Sequence, residues 1–316
     1  MHELTTTRNN PMIDPSLHIW GGEIAIYLFL GGLVAGTMMI SGYLLFRNRH
    51  KQLECSCFRT PLLGIVLLSI GMFALFLDLE HKLFVWRMYA TFKPASPMSW
   101  GSWILLLVYP ALAANMLVRP PELLSAWFPV LPRLSEWLHA SPGATHAVAI
   151  LNMAIGAMLG IYTGILLSAF GARPLWNSAA LSILFLVSGL STAAALVHLV
   201  ARNPYEREML ARADIGFLAA ELMIILLFLI GLLSSTRVHI EAALSLISGP
   251  YAPVFWVFVI GLGIVIPLLI QPLAVTHRIA HTPVAPILVI AGGLILRYVI
   301  VFAGQASHWT AAAVSR

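Results

Sequence analysis

Apolar residues in this sequence come in long unbroken runs, each closed by charge, proline or both, with no alternation or surface-helix period between them. Eight runs stand out: 20–46, 61–79, 100–118, 143–170, 176–201, 214–234, 252–271 and 283–304. A helix needs roughly 20 apolar residues to cross the hydrocarbon of a bilayer. Backbone N–H and C=O groups cannot face lipid unpaired, so runs this long and apolar predict helices and not strands. The pattern therefore predicts an all-α integral membrane protein with eight transmembrane helices, arranged as two four-helix bundles within one membrane domain over 1–316. Eight spans place both termini on the same side. No short-period repeat occurs, and the loops, the longest about twenty residues, leave no room for a folded extramembrane domain.

Composition agrees. Of 316 residues 59% are hydrophobic and only 10% charged, and the mean hydropathy is +0.89. A soluble domain carries about 25% charged residues, so no water-facing surface can be assembled from this inventory. A soluble enzyme, a nucleic-acid binder and a disordered polypeptide are all excluded. The first apolar run is too long for the core of a secretion signal, so no cleavable signal peptide is expected.

Charge sets the orientation. Lys and Arg number seven in the N-terminus, loops 80–99, 171–175 and 235–251, and the C-terminus, against ten in loops 47–60, 119–142, 202–213 and 272–282. Cytoplasmic loops hold the excess of positive charge. Both termini are therefore expected on the periplasmic side.

Ionisable residues inside a span are costly and are candidates for function. Glu23 lies in the first run, Asp78 at the end of the second, Glu221 in the sixth and Arg297 in the eighth. Tyr27 and Tyr162 add hydroxyl donors. On the expected orientation Glu23, Tyr27, Asp78, Tyr162, Arg173 and Arg297 come to a similar depth near the outer face. Glu80, His81, Lys82 and Arg87 follow Asp78. The inner side holds a thinner set, His146, His198, Asp214 and Glu221, which could carry protons from the cytoplasm or simply cap helix ends. Most of the eleven histidines lie in loops or tails, and His146 and His198 sit near span ends, so a bis-histidine haem is not expected. The only cysteines, Cys55 and Cys57, fall short of the four an iron–sulfur cluster needs. No metal site is expected either.

Four strings resemble one known family: "HIWGGEIAIYLFLGGLVAG" (18–36), "KPASPMSWGSW" (93–103), "YTGILLSAFGARPLWN" (162–177) and "LRYVIVFAGQ" (296–305). They are similar to the NrfD/polysulfide reductase membrane subunits, the quinone-binding anchors of multisubunit respiratory oxidoreductases. The resemblance covers nearly the whole length. It implies an eight-helix protein of the bacterial inner (cytoplasmic) membrane that holds no haem or iron–sulfur cluster itself. It also implies an exchangeable menaquinone near the periplasmic face and a docked periplasmic iron–sulfur subunit of the ferredoxin-like four-cluster type. A molybdopterin or multihaem subunit would act on the terminal substrate.

Residue by residue, the resemblance matches Tyr162 to a tyrosine that hydrogen-bonds a quinone carbonyl. It matches Arg297 to an arginine of the last helix, and Asp78 to an acid closing the second. In span one the family uses a histidine against the quinone. Here Glu23, Tyr27 or His18 must stand in for it. The side-chain types suit the chemistry. A tyrosine hydroxyl donates to a carbonyl, a nearby carboxylate takes up or supplies a proton, and an arginine steadies negative charge. Glu221 and Arg173 join Asp78 and Arg297 as candidates for proton transfer or electrostatics. In loop 80–99, Lys82, Trp86, Arg87 and Lys93 are expected to form a partner-docking surface or an interfacial anchor. Eight helices with buried charges would also suit a transporter, but those charges gather at one face and not at broken helices in the midplane. A purely structural membrane anchor is the remaining alternative.

Overall fold

A computed structural model describes residues 20–47, 59–79, 81–170, 173–276 and 282–307. His18, Glu80, Cys55 and Cys57 lie outside the described residues. In order along the sequence the helices are α1 (Gly22–Phe46), α2 (Thr60–Asp78), the short α3 (Trp86–Ala90), α4 (Pro97–Val118), the short α5 (Glu122–Trp127), α6 (Val130–Ala140), α7 (Pro142–Ser168), α8 (Ala180–Val200), α9 (Pro204–Leu233), α10 (Arg237–Ile247), α11 (Ile266–Val275) and α12 (Val284–Ala306). A π-helical segment, Val254–Val265, runs directly into α11. Eight of these, with the π segment and α11 taken as one, are long and apolar enough to cross a membrane. This is a multi-pass membrane protein.

Two of the predicted runs differ from the helices that carry them. The sixth helix begins at Pro204, well before the apolar run. Proline suits the first helical position because its missing N–H would be unpaired there anyway. Asn203 accepts from the Tyr205 N–H (2.9 Å), so the charged stretch through Arg212 winds onto the end of the apolar segment. The fifth helix begins only at Ala180. Before it, the backbone from Arg173 to Asn177 makes a turn that tucks Arg173 and Trp176 inside the protein.

Spans one to four (α1, α2, α4, α7) pack together, as do spans five to eight (α8, α9, the π segment with α11, and α12). Helix α1 belongs to both groups, because it packs against α2 and α7 on one side and α8 and α12 on the other. Small residues let neighbours close in on both sides of α1, and it is buried along almost its whole length. The outer helices keep one face for lipid, shown by exposed Val66, Ile70, Phe73 and Leu77 on α2 and Met223, Leu226, Leu227 and Ile230 on α9.

Lipid tails are as apolar as leucine, so helices in a bilayer associate through close packing, and small residues permit it. The α1–α8 crossing is made by Gly32 and Gly36 against Gly189. A Cβ on Gly189 would stand 2.6 Å from the Gly32 carbonyl oxygen, and one on Gly36 would collide with the Gly189 carbonyl.

The two ends of the described sequence are joined at one end of the bundle, here called the terminal face. The Trp20 N–H donates to Gln305 Oε1 (3.1 Å), and Gln305 Nε2 donates to the Trp20 carbonyl (3.0 Å). Arg173 Nη1 donates to the carbonyls of Gln305 (2.7 Å) and Ser307 (3.2 Å), which have no helical partner at the end of α12. Trp176 Nε1 donates to the Ile300 carbonyl (2.8 Å), and its ring stacks on Trp20 at 5.3 Å. Gly304 leaves the space that the Trp176 indole fills.

Gly36→Val is expected to cost at least the upper end of the roughly 1–3 kcal/mol typical of overpacking, because backbone and not a movable side chain opposes the new atoms. Gly216→Ala, which points into open space, serves as control. Thermal unfolding of the detergent-solubilised protein should show a clear loss of Tm for the first and almost none for the second.

Candidate functional site

A cavity of about 320 Å³ opens within the terminal half of the first bundle. Its walls are mostly aliphatic, aromatic and thioether: Ile24, Met72, Leu75, Phe76, Met88, Met98, Leu105 and Leu166 among them. Into this apolar chamber converge Tyr27 from α1, Asp78 from the end of α2, Tyr89 from α3, Ser102 from α4 and Tyr162 from α7.

Each polar group is held by its helix. Tyr27 and Tyr162 are buried, on α1 and α7, the most extensively packed pair of helices in the protein. The Tyr27 hydroxyl is close enough to those of Tyr162 and Tyr89 to interact electrostatically with both. Neither the Tyr27 nor the Tyr162 hydroxyl has a hydrogen-bond partner among the described residues. Both tyrosines line the cavity, where a ligand with an acceptor oxygen could take their hydroxyl protons as hydrogen bonds. Asp78 is half-buried at the rim and takes the backbone N–H of Gly21. Burial pushes the Tyr89 phenol above its ordinary range, and nearby Tyr109 adds to the effect. Tyr89 is therefore a neutral O–H donor at any physiological pH.

The segment 93–103 builds one wall by its own hydrogen bonds. Ser99 Oγ accepts the Lys93 N–H (3.0 Å) and donates to the Thr91 carbonyl (3.2 Å), while Trp100 Nε1 donates to the Pro94 carbonyl (2.7 Å). Ser102 Oγ lies 2.8 Å from the carbonyls of both Met88 and Ser99, which ties α3 to the start of α4. Gly101 then presses on the Tyr162 ring so closely that any Cβ would overlap the phenol. The glycine in this string is thus the seat of the tyrosine.

The structure divides the sequence-predicted residues between two places. Tyr27, Asp78 and Tyr162 meet in the cavity. Glu23 is exposed, folded back over Gly21 at its edge. His18 lies outside the described residues. Arg173 belongs to the clasp that joins the two ends. Lys82, Trp86, Arg87 and Lys93 are all exposed on the terminal face, with the Arg87 guanidinium 4.4 Å above the Phe84 ring and beside Trp86.

Arg297 and Glu221 are elsewhere, within the second bundle. Arg297 is completely buried. It donates to Ser188 Oγ, to the Phe185 carbonyl (3.0 Å) and to the Gly293 carbonyl (3.3 Å), and sits 4.8 Å above the Phe185 ring. The Ser188 hydroxyl also bonds the Glu221 carboxylate. Position along the span does not tell which neighbour Arg297 faces. It faces α8 and α9, with Gly32 of α1 against one of its nitrogens.

Sequence reading missed Tyr89, Gly101 and Ser102 as lining groups. The signal for Gly101 was present, a lone glycine amid tryptophans and serines, but only the fold shows that it faces Tyr162. Among the described residues no group of three or more His, Cys, Asp or Glu side chains could hold a metal ion.

The family described as "Polysulphide reductase, NrfD" matches residues 9–308 of this protein. Protein NrfD of Escherichia coli (strain K12) is 29% identical over 307 residues, covering 91% of this sequence and 95% of that protein. A polysulfide reductase subunit of Wolinella succinogenes is 28% identical over 305 residues, covering 91% and 94%. A tetrathionate reductase subunit of Salmonella typhimurium is 28% identical over 233 residues, covering 73% of this sequence and 64% of that one. With eight membrane-crossing helices and a family match that runs from the segment before the first of them to the end of the last, this protein belongs to the NrfD polysulphide reductase family.

Proposed function

We propose that this protein is the quinone-reactive membrane subunit of a respiratory oxidoreductase, binding menaquinone or menaquinol in the cavity between α1, α2, α4 and α7. The observation that carries the reading is the convergence of two tyrosines, with hydroxyls that take no partner among the described residues, and a rim carboxylate in one apolar chamber. Related proteins named as parts of polysulfide and tetrathionate reductases support it. So does size: ligand pockets start near 300 Å³, enough here for a fused bicyclic ring, with aliphatic and thioether walls suited to the first part of an isoprenoid tail.

When bound, a quinone supplies the redox chemistry, taking up or giving back two electrons and two protons. The protein binds, orients and handles protons. Tyr162 and Tyr27 donate hydrogen bonds to carbonyl oxygens and fix the plane of the ring. Gly101 sets the position of Tyr162. Asp78, at the rim and in reach of solvent, accepts a proton from the ring oxygen or returns one. Thioethers of Met88 and Met98 adapt to the ring faces.

On this reading the terminal face is periplasmic and the protein resides in a bacterial inner membrane. An iron–sulfur subunit docks over Lys82, Trp86, Arg87 and Lys93, with a further catalytic subunit beyond it. Exposed aromatic and basic side chains suit an acidic partner surface.

Quinone reduction or quinol oxidation by the purified complex tests the reading. Tyr162→Phe is expected to lose about 10-fold in turnover, the worth of one buried hydrogen bond. Asp78→Asn is expected to lose roughly 100-fold or more, the contribution of a positioned proton-transfer group. Both should assemble normally by size-exclusion chromatography. Wild-type turnover in both would place the site elsewhere.

A separate check uses binding alone. Gly101→Ala must push the Tyr162 ring aside, so calorimetric titration with a quinol-analogue inhibitor should show affinity reduced by about 10-fold or more, as expected for a misplaced tyrosine.

A further inference from the structure

The segment that joins α4 to α7 does not cross the membrane and lines no part of the cavity. Its main element, α6, sits at the end of the bundle opposite the terminal face. Leu138 fixes that position. It is buried in one cluster with Leu45 at the end of α1, Val118 at the end of α4 and Val148 near the start of α7. Ser135 Oγ donates to the Val118 carbonyl (3.2 Å), one of the last of α4, which have no acceptor role within their own helix. Helix α4 has 22 residues and so spans about 33 Å, close to the roughly 30 Å of a hydrocarbon core. Val118, and α6 with it, therefore lies near the boundary between acyl chains and headgroups.

With 3.6 residues per turn, the 11 residues of α6 sort into three sectors. Leu131, Ser135 and Leu138 turn toward the bundle and are wholly or partly covered. On a second side Val130, Leu134 and Trp137 are exposed, and Trp127 and Phe128 continue this apolar surface just before the helix. The two tryptophans are 69% (Trp137) and 77% (Trp127) exposed, far more than a protein in water leaves bare on one short element. On the third side Arg133, Glu136 and His139 are exposed. A surface helix of a soluble protein has two environments, core and water. A helix with separate sectors for protein, for an apolar medium and for water lies where all three meet. Beside a helical bundle, at the depth of Val118, that place is the membrane interface, where tryptophan is enriched and amphipathic helices lie in the plane.

Charge says which lipid the surface takes. Arg133 stands one turn from Trp137, at the border between the apolar and the charged sectors. It makes no ion pair among the described residues, although Glu136 is close by on the same helix. Its aliphatic stem can lie along the apolar sector while the guanidinium reaches headgroup level, and the guanidinium fork matches phosphate oxygens. The four loops on this face hold ten Lys and Arg against five Asp and Glu, a balance that suits an anionic leaflet. We infer that α6, with Trp127 and Phe128, is an in-plane anchor that seats its apolar sector in the leaflet opposite the terminal face and holds the phosphate of an anionic phospholipid through Arg133. The anchor joins the far ends of α4 and α7, whose other ends bring Gly101 against Tyr162, and so ties the depth of that pair to the lipid surface. None of this depends on the quinone reading.

Nitroxide labels on single cysteines test the anchor in the full-length protein, placed in lipid nanodiscs after Cys55→Ser and Cys57→Ser. Labels at Leu134→Cys and Trp137→Cys should collide mainly with oxygen, which concentrates among acyl chains, as should a label at Leu226→Cys on the exposed face of α9. A label at Glu136→Cys should collide mainly with a water-soluble nickel chelate. If the labels at 134 and 137 meet nickel as freely as the one at 136, that sector is in water and the anchor is overturned. Shielding of both labels from oxygen and nickel alike would mean that protein covers the surface, which overturns it equally. The headgroup is read from Trp137 emission, taken as wild type minus Trp137→Phe, quenched by brominated phosphatidylglycerol or brominated phosphatidylcholine. The wild type should favour the anionic lipid about 5-fold, and Arg133→Gln should favour neither. Equal affinities in the wild type, or an unchanged preference in the variant, defeat the phosphate contact.

Discussion

No side chain fits where α1 crosses α8. That constraint orders the rest of the molecule. With Gly32, Gly36 and Gly189 in backbone contact, α1 sits at the centre with neighbours on every side, and the two four-helix groups share it as a common wall. Helices around such a hub need small residues inside and lipid-compatible residues outside, which is the division seen on α2 and α9. The hub also fixes geometry that the chemistry needs. Tyr27 on α1 faces Tyr162 on α7 because these two helices pack along most of their length, so the opposing hydroxyls are set by rigid elements and not by loops.

The same wall keeps two polar systems apart. On one side lies an apolar chamber with hydroxyls that take no partner among the described residues; on the other, a dense net in which Arg297 spends its donors on Ser188 and on backbone carbonyls. Both differ from a simple salt bridge. In hydrocarbon surroundings a bare pair of opposite charges loses more solvation than the attraction returns, and the protein inserts a hydroxyl between Arg297 and Glu221. The carbonyls of Phe185 and Gly293 complete the coordination of the guanidinium, leaving only Nε without a partner among the described residues.

Much of this was legible in the order of residues. Long apolar runs predicted eight helices because only a bilayer demands such runs, and the strings around Gly31, Trp100, Trp176 and Gln305 pointed to one family. Counting along each span set Asp78, Tyr162 and Arg297 at one depth, whereas Asp78 closes α2 and Arg297 lies nine residues inside α12. What counting cannot supply is azimuth. Both Tyr162 and Arg297 sit in helices with little amphipathic contrast, so no stripe announces which neighbour each faces, and residues counted to a similar depth prove to belong to different bundles. Tyr89 and Gly101 escaped for another reason. Their roles depend on the 93–103 segment folding back through Ser99 and Trp100 side-chain bonds, and such local ties leave no periodic trace. Likewise the "RPLWN" string reads as the start of a span by composition, whereas its tryptophan is drawn inward by the Ile300 carbonyl.

The clasp between Trp20 and Gln305 joins residues separated by almost the whole sequence. A ribosome makes the first of them long before the last, and Trp20 also lines the cavity. During synthesis, then, the other lining residues enter the bilayer with the first four spans, while the backbone of Trp20 gains its Gln305 partner only when α12 arrives. A polypeptide stalled before Gln305 lacks the side chain that holds the Trp20 backbone, so the last tie to this wall forms only when synthesis is almost done.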